Sequence, residues 1–193
     1  MLGLKLPTDP RWVNIVEKNI DEILTDHAYC EQKAASTAIS LIVSFPEYPE
    51  LIEEMIALSR EEMGHFKMVH EIIKERGLKL GRERKDSYVN ELFKFKMKGG
   101  NRQQSLIDRL LISAMIEARS CERFKTLSEN IKDEKLAKFY HDLMVCEAGH
   151  YTLFLGFARK YGEGIDVDKQ WKSLIEFEGG IIKKYGIKET IHG

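Results

Sequence analysis

An all-α bundle of four long helices follows from three observations on the sequence. Apolar residues recur with helical period over most of the 193 residues. The four prolines, Pro7, Pro10, Pro46 and Pro49, cluster where helices begin, so none breaks a helix interior. The periodic segments also form two pairs, each joined by a short turn, with about 25 residues between the pairs.

Asp9 as N-cap and Pro10 at the first helical position predict a first helix running to about Phe45. The second starts near Pro49 and stops at Gly77, after Lys74, Glu75 and Arg76. The polar, glycine-punctuated stretch that follows has room for one short helix, Ser87 to Met97. The third long helix covers Gln103 to Asn130, and the fourth, capped by Asp133, runs to Tyr161. A final helix from Asp168 to Tyr185 is expected to be interrupted at Gly179 and Gly180. One long crossover between two helical hairpins is the topology of a ferritin-like four-helix bundle, here with an extra C-terminal helix. The expectation is a single domain spanning residues 1–193.

With 43% hydrophobic and 32% charged residues the composition is that of a globular chain. The opening MLGLKLPTDP holds no apolar run of signal-peptide length, and no segment approaches the ~18 apolar residues of a membrane span, so a cytoplasmic protein without membrane contact is expected. Cys30, Cys121 and Cys146 lack zinc spacing and read as free thiols.

The chain repeats itself. LSREEMGHF from Leu58 aligns with LMVCEAGHY from Leu143, so Glu62 and His65 correspond to Glu147 and His150, 85 residues on. A Glu-x-x-His spacing projects both side chains from one helix face, where they are costly to bury without a partner. Each hairpin also offers a lone carboxylate on its first helix: Glu31 among Ala28, Ala34 and Ala35, and Glu117 among Ser113, Ala114, Ser120 and Cys121. Taken singly, a Glu is more commonly a solvated helix residue and a His a satisfied core residue. Jointly, four Glu and two His in step form the ligand pattern of a di-iron or di-manganese carboxylate centre, in which four carboxylates balance two divalent cations. A third copy, Glu189 and His192, has no repeat partner. Gly64 and Gly149, each before a ligand histidine, suggest close helix approach. Outside the ligands, His27 lies one turn before Glu31, as a supporting group, a proton donor or a further ligand. Glu61 is placed to hold the ring of His150, and Cys146 stands at its repeat position, while Cys121 flanks Glu117.

DHAYCEQKAAS (Asp26 to Ser36) and IEARSCERF (Ile116 to Phe124) resemble the signatures of the tRNA 2-methylthio-isopentenyl-adenosine hydroxylases, the MiaE type. TDPRWV, the SREE and HF of the second helix, and FYHDLMVCEAGHY are similar to that family too, so the resemblance covers nearly the whole chain. It implies a non-haem di-iron monooxygenase that hydroxylates the isopentenyl side chain of the modified adenosine beside the anticodon. Glu31 and His65 would then bind one iron and Glu117 and His150 the other, with Glu62 and Glu147 bridging. Dioxygen would be the co-substrate, and without a flavin or nicotinamide fingerprint a separate reductase is implied.

The crossover offers a site for RNA. From Lys79 to Arg102 it carries eight basic residues (Lys79, Arg82, Arg84, Lys85, Lys94, Lys96, Lys98, Arg102) against three acidic ones, interleaved with Tyr88, Phe93 and Phe95. That suits phosphate contact and base stacking at an anticodon loop, although a charged solvated loop has the same composition. Two other readings use the same ligands: an iron-oxidising storage protein, which needs a large shell where a hydroxylase is a monomer or small oligomer, and a di-iron oxygenase acting on a lipid or small molecule.

Overall fold

The structure, a computed structural model, describes residues 2–96, 99–185 and 191. Among these residues it is all-helical, with no strand: α1 Trp12–Lys18, α2 Ile20–Ser44, α3 Pro49–Glu75, α4 Ser87–Leu92, a 3-10 turn Phe93–Phe95, α5 Arg102–Asn130, α6 Glu134–Tyr161 and α7 Val167–Tyr185. The chain divides into two compact units. One holds Lys18–Lys85 with Ile191, and the other holds the N-terminal stretch to Glu17 together with α4 to α7.

The first unit is the α2–α3 hairpin. On α3 the buried residues Leu51, Met55, Leu58, Glu62, His65, Val69 and Ile73 recur every three or four positions, a single stripe into which Glu62 and His65 are set. Gly77 ends the helix at φ 69°, with Leu78 N–H donating to the Ile73 carbonyl and Gly77 N–H to that of Lys74, a Schellman cap that only a left-handed residue closes without strain. The chain then turns back along α2. Gly81 N–H donates to Thr25 Oγ1 (3.3 Å), Tyr29 Oη donates to the Gly81 carbonyl (3.1 Å) and Lys33 Nζ to the Arg84 carbonyl (3.1 Å). A Cβ at position 81 would stand 3.1 Å from Thr25 Cγ2, so glycine is what permits this approach.

The second unit is the α5–α6 hairpin, with α7 packed on both helices and α4 on α7. Asn101 and Asp133 cap its two helices, accepting from Gln104 N–H (2.8 Å) and from Lys135 and Leu136 N–H (3.0 and 3.1 Å). Asp86 caps α4 through Val89 N–H.

Three expectations are corrected. The first helix is not continuous to Phe45: Asp9 and Pro10 form a turn, α1 ends at Lys18, and Asn19 leaves helical geometry at φ -133° before Asp21 and Glu22 open α2. Asparagine gives up helical backbone readily because its amide competes for backbone hydrogen bonds. Conversely, Gly179 and Gly180 do not interrupt α7. A Cβ at Gly179 would sit 3.0 Å from Lys5 Cδ, so the absent side chain makes room for the N-terminal segment. The predicted short helix stops at Leu92 and tightens into the 3-10 turn, and Met97 lies outside the described residues.

Gly64 and Gly149 do not mark close helix approach either. Both are exposed, and a Cβ on either would meet nothing within 4 Å. Each therefore carries the helix penalty of glycine with no packing gain. Gly64→Ala and Gly149→Ala are each expected to raise the unfolding free energy by up to about 1 kcal/mol in urea titrations. A loss of stability in either would show that the bare backbone is used.

Candidate metal centre

Glu31, Glu62 and His65 are buried, at 3%, 0% and 4% exposure, in the α2–α3 unit. Each offers a ligand atom, and these lie within 4.8 Å of one another. Around His65 Nδ1 stand Glu62 Oε2 at 3.3 Å and Glu31 Oε2 at 3.7 Å. Burial opposes a charged ring, yet hydrogen bonding to Glu31 and Glu62 outweighs it and lifts His65 to about 11. Two buried carboxylates this close to one ring call for positive charge between them.

The α5–α6 unit holds the repeat. Glu117, Glu147 and His150 are buried at 6%, 2% and 5% exposure. Glu147 Oε2 lies 3.6 Å from His150 Nδ1, and Glu117 and His150 bring ligand atoms within 4.8 Å of each other. Glu147 Oε2 accepts no hydrogen bond in this buried position. A buried carboxylate oxygen beside an imidazole nitrogen, lacking a hydrogen-bond donor, fits a hard divalent cation. Each unit thus carries one candidate half-site of two carboxylates and a histidine, set on helices whose 3.6-residue period fixes the projection of each side chain.

Around these ligands, His27 is fully buried and its Nε2 lies 2.6 Å from Glu31 Oε1. Glu61 is half exposed and lies 3.9 Å from Nε2 of His65 on its own helix. Cys121 donates its thiol to the Met144 carbonyl (3.3 Å). Burial, with the carboxylates of Glu147 and Glu122 nearby, pushes that thiol up to about 12, so it remains protonated at neutral pH and is a poor ligand. Among the described residues none of the three cysteines forms a disulfide.

The basic crossover is less available than its composition implies. Arg84 pairs with Glu22, Lys94 pairs with Glu91, and Lys96 Nζ sits 4.5 Å from the centre of the Phe93 ring. Burial and the neighbouring Arg109 lower the pKa of Lys96. Arg102 is exposed in the first turn of α5, and Lys98 lies outside the described residues, as do Glu189 and His192. Lys79, Arg82 and Lys85 are exposed and make no ion pair among the described residues.

Sequence reasoning missed a buried polar network in the α5–α6 unit. Arg119, 0% exposed, donates to Glu178 Oε1 through Nε (2.8 Å) and Nη2 (2.6 Å), to Glu122 Oε2 (3.0 Å) and to the Leu6 carbonyl (3.1 Å). Tyr88 Oη donates to the same Glu178 oxygen (3.2 Å), and Thr8 N–H donates to Glu122 (2.7 Å). The one hint in the sequence was the crowding of Arg119, Glu122 and Arg123 on a helix otherwise rich in buried positions.

Residues 2–193 match the profile of a family described as tRNA-(MS[2]IO[6]A)-hydroxylase (MiaE). A tRNA 2-(methylsulfanyl)-N(6)-isopentenyladenosine(37) hydroxylase of Pseudomonas putida is 38% identical over 164 residues, 85% of this chain and 78% of that protein. The enzyme of the same description from Salmonella typhimurium is 29% identical, over 93% of this chain and 83% of its own. A solved structure described as a protein with aldehyde deformylating oxygenase activity from Synechococcus superposes with a TM-score of 0.90 at 31% identity, covering 98% of this chain and 95% of that one. The fold is of the ferritin-like all-α class, with two helical hairpins joined by one long crossover.

Proposed function

Because this chain belongs to the MiaE family of tRNA hydroxylases, we propose that it hydroxylates the isopentenyl side chain of 2-methylthio-isopentenyl-adenosine next to the anticodon, with dioxygen as co-substrate. The observation that carries this reading is the pair of half-sites, Glu31/Glu62/His65 and Glu117/Glu147/His150, on a chain matching the family from residue 2 to residue 193. In the proposed centre, within one domain, Glu31 and His65 would hold one iron and Glu117 and His150 the other, with Glu62 and Glu147 serving both. Two ferrous ions, when bound, supply the reduction of dioxygen that puts one of its oxygen atoms into an unactivated C–H bond and the other into water.

The side chains of this protein do the rest. The carboxylates neutralise the ions, and the helices fix ligand positions before metal arrives. Leu58, Val69, Ala28 and Ala35 line the same helix stripes as the ligands of the first unit and keep them dry. The electrons come from a separate reductase, since the chain has no flavin or nicotinamide fingerprint.

Incubating iron-loaded, reduced protein with tRNA bearing the modified adenosine and analysing the nucleosides by mass spectrometry tests the assignment. A gain of one oxygen on the isopentenyl group is expected. An unchanged nucleoside, with turnover of an aldehyde under the same conditions, would move the protein to the activity named for its Synechococcus relative.

For tRNA docking the proposal rests on the Lys79 to Lys85 segment, tied to α2 and carrying three cations with no ion-pair partner among the described residues. A pre-ordered ridge loses little entropy when it meets phosphate. Arg82→Glu with Lys85→Glu is expected to weaken tRNA binding at least tenfold at low salt and to flatten the plot of log affinity against log salt by about 1 to 2. Iron loading should not change. Equal affinity and slope in the variant would remove this segment from the docking surface.

A further inference from the structure

A small cleft lies beside the Lys79 to Lys85 segment, entirely within the α2–α3 unit. Its volume is about 290 Å³, room for a single nucleoside. One wall is α2, with Asp21, Glu22 and Thr25, and the other is the returning chain, with Lys79, Arg82 and Arg84. The walls are fixed to each other. Hydrogen bonds tie Gly81 and Arg84 to Thr25, Tyr29 and Lys33, Arg84 pairs with Glu22, and Glu83 pairs with Lys33 at 3.2 Å. Three charged groups of the cleft are left over: Asp21, Lys79 and Arg82 are exposed and make no ion pair among the described residues.

A carboxylate beside two cations in a preformed cleft suits a ligand that carries both an anion and a hydrogen-bond donor. Bare phosphate would be repelled by Asp21. A nucleotide within an RNA strand meets both requirements, with phosphate oxygens for the cations and a ribose hydroxyl for the carboxylate. Inside a strand the 3′ and 5′ oxygens are esterified, so the 2′-hydroxyl is the one donor that the sugar keeps. We infer that this cleft holds one nucleotide of the anticodon loop, with Asp21 accepting a hydrogen bond from its 2′-hydroxyl and Lys79 and Arg82 pairing with its flanking phosphates. This rests on the tRNA reading above and goes beyond it by naming a ribose-reading residue and the unit of RNA that it reads. The nucleotide is not the one that is oxidised. Thr25, Tyr29 and Lys33 recur every four residues on the face of α2 that the returning chain covers, whereas His27, Glu31 and Ala35 follow the same period two residues out of step. At 3.6 residues per turn an offset of two is about 200°, the other side of the helix. The occupant is a neighbour in the loop, held in place while the modified adenosine is inserted toward the ligands.

Fluorescence anisotropy with synthetic anticodon stem-loop RNA, all-ribose or with deoxyribose at one loop position at a time, tests this. The wild type should lose about tenfold in affinity at one loop position other than the modified adenosine, and little elsewhere. Asp21→Ala should weaken binding of the all-ribose hairpin by about the same factor and should no longer respond to deoxyribose at that position, because both changes delete one hydrogen bond. Lys79→Ala should keep the deoxyribose effect and flatten the plot of log affinity against log salt by about 1. An ordinary solvated acid gives the opposite result, since removing a negative charge from a surface that faces RNA tightens binding. Asp21→Ala binding as tightly as the wild type or more so, or a wild type equally tolerant of deoxyribose throughout the loop, would overturn the inference, and hydroxylation of tRNA by the same wild-type protein would leave the proposed function standing. A protein that neither binds the hairpin nor hydroxylates tRNA would overturn both.

Discussion

Glu178→Leu is expected to lower the unfolding free energy by about 3–5 kcal/mol, the usual cost of stranding one member of a buried ion pair. Glu178 accepts both Arg119 nitrogens and the Tyr88 hydroxyl on one oxygen, at 0% exposure, so the leucine would leave the guanidinium with only Glu122 and the Leu6 carbonyl. The network joins α5, α7, α4 and the N-terminal segment, and its loss should be felt through the whole α5–α6 unit. Removing both charges, as Arg119→Met with Glu178→Leu, should recover at least half of the loss, because a buried pair replaced by apolar residues of similar size is often neutral or better. Urea denaturation of the two variants beside the wild type measures this. A single variant within about 1 kcal/mol of wild type would mean that water reaches Arg119.

Glu147→Ala and Glu62→Ala are each expected to hold fewer than two irons per chain and to abolish hydroxylation of the tRNA. In the proposed centre each of these carboxylates serves both ions, so its removal is felt at both positions, whereas a ligand to one iron would spare the other. Glu147 is the sharper test. Its Oε2 is buried beside His150 with no hydrogen-bond donor, an arrangement costly without a cation, so the metal-free alanine variant should be no less stable than the metal-free wild type. Iron analysis after anaerobic reconstitution, with melting temperatures of both metal-free proteins, gives the two readouts. Two tightly held irons in the variant would exclude Glu147 as a ligand.

The candidate ligand residues could be picked out of the sequence because their geometry is local. Glu62 with His65, and Glu147 with His150, share a helix face by spacing alone, and the 85-residue repeat raised a weak motif to a strong one. Helix starts at Pro49 and Asp133 were legible for the same reason, since a start signal is written within a few residues of the turn it opens, whereas the sequence reading passes over the Asn101 cap and begins the third helix at Gln103. The long crossover, a matter of counting residues, announced the class of fold.

Tertiary structure alone decided the rest. That the Gly179–Gly180 pair does not break α7 depends on what lies against it, since Lys5 reaches Gly179 from the far end of the chain. The spare cations of the crossover could not be told from the engaged ones, because Arg84 is neutralised by Glu22, 62 residues earlier in the sequence. Arg119 and Glu178 are 59 residues apart, and nothing in either neighbourhood names the other. His27 stands between the two cases. Its place one turn from Glu31 is fixed by helical period, but complete burial is what makes its hydrogen bond a restraint on the carboxylate, and burial is a property of the packed chain.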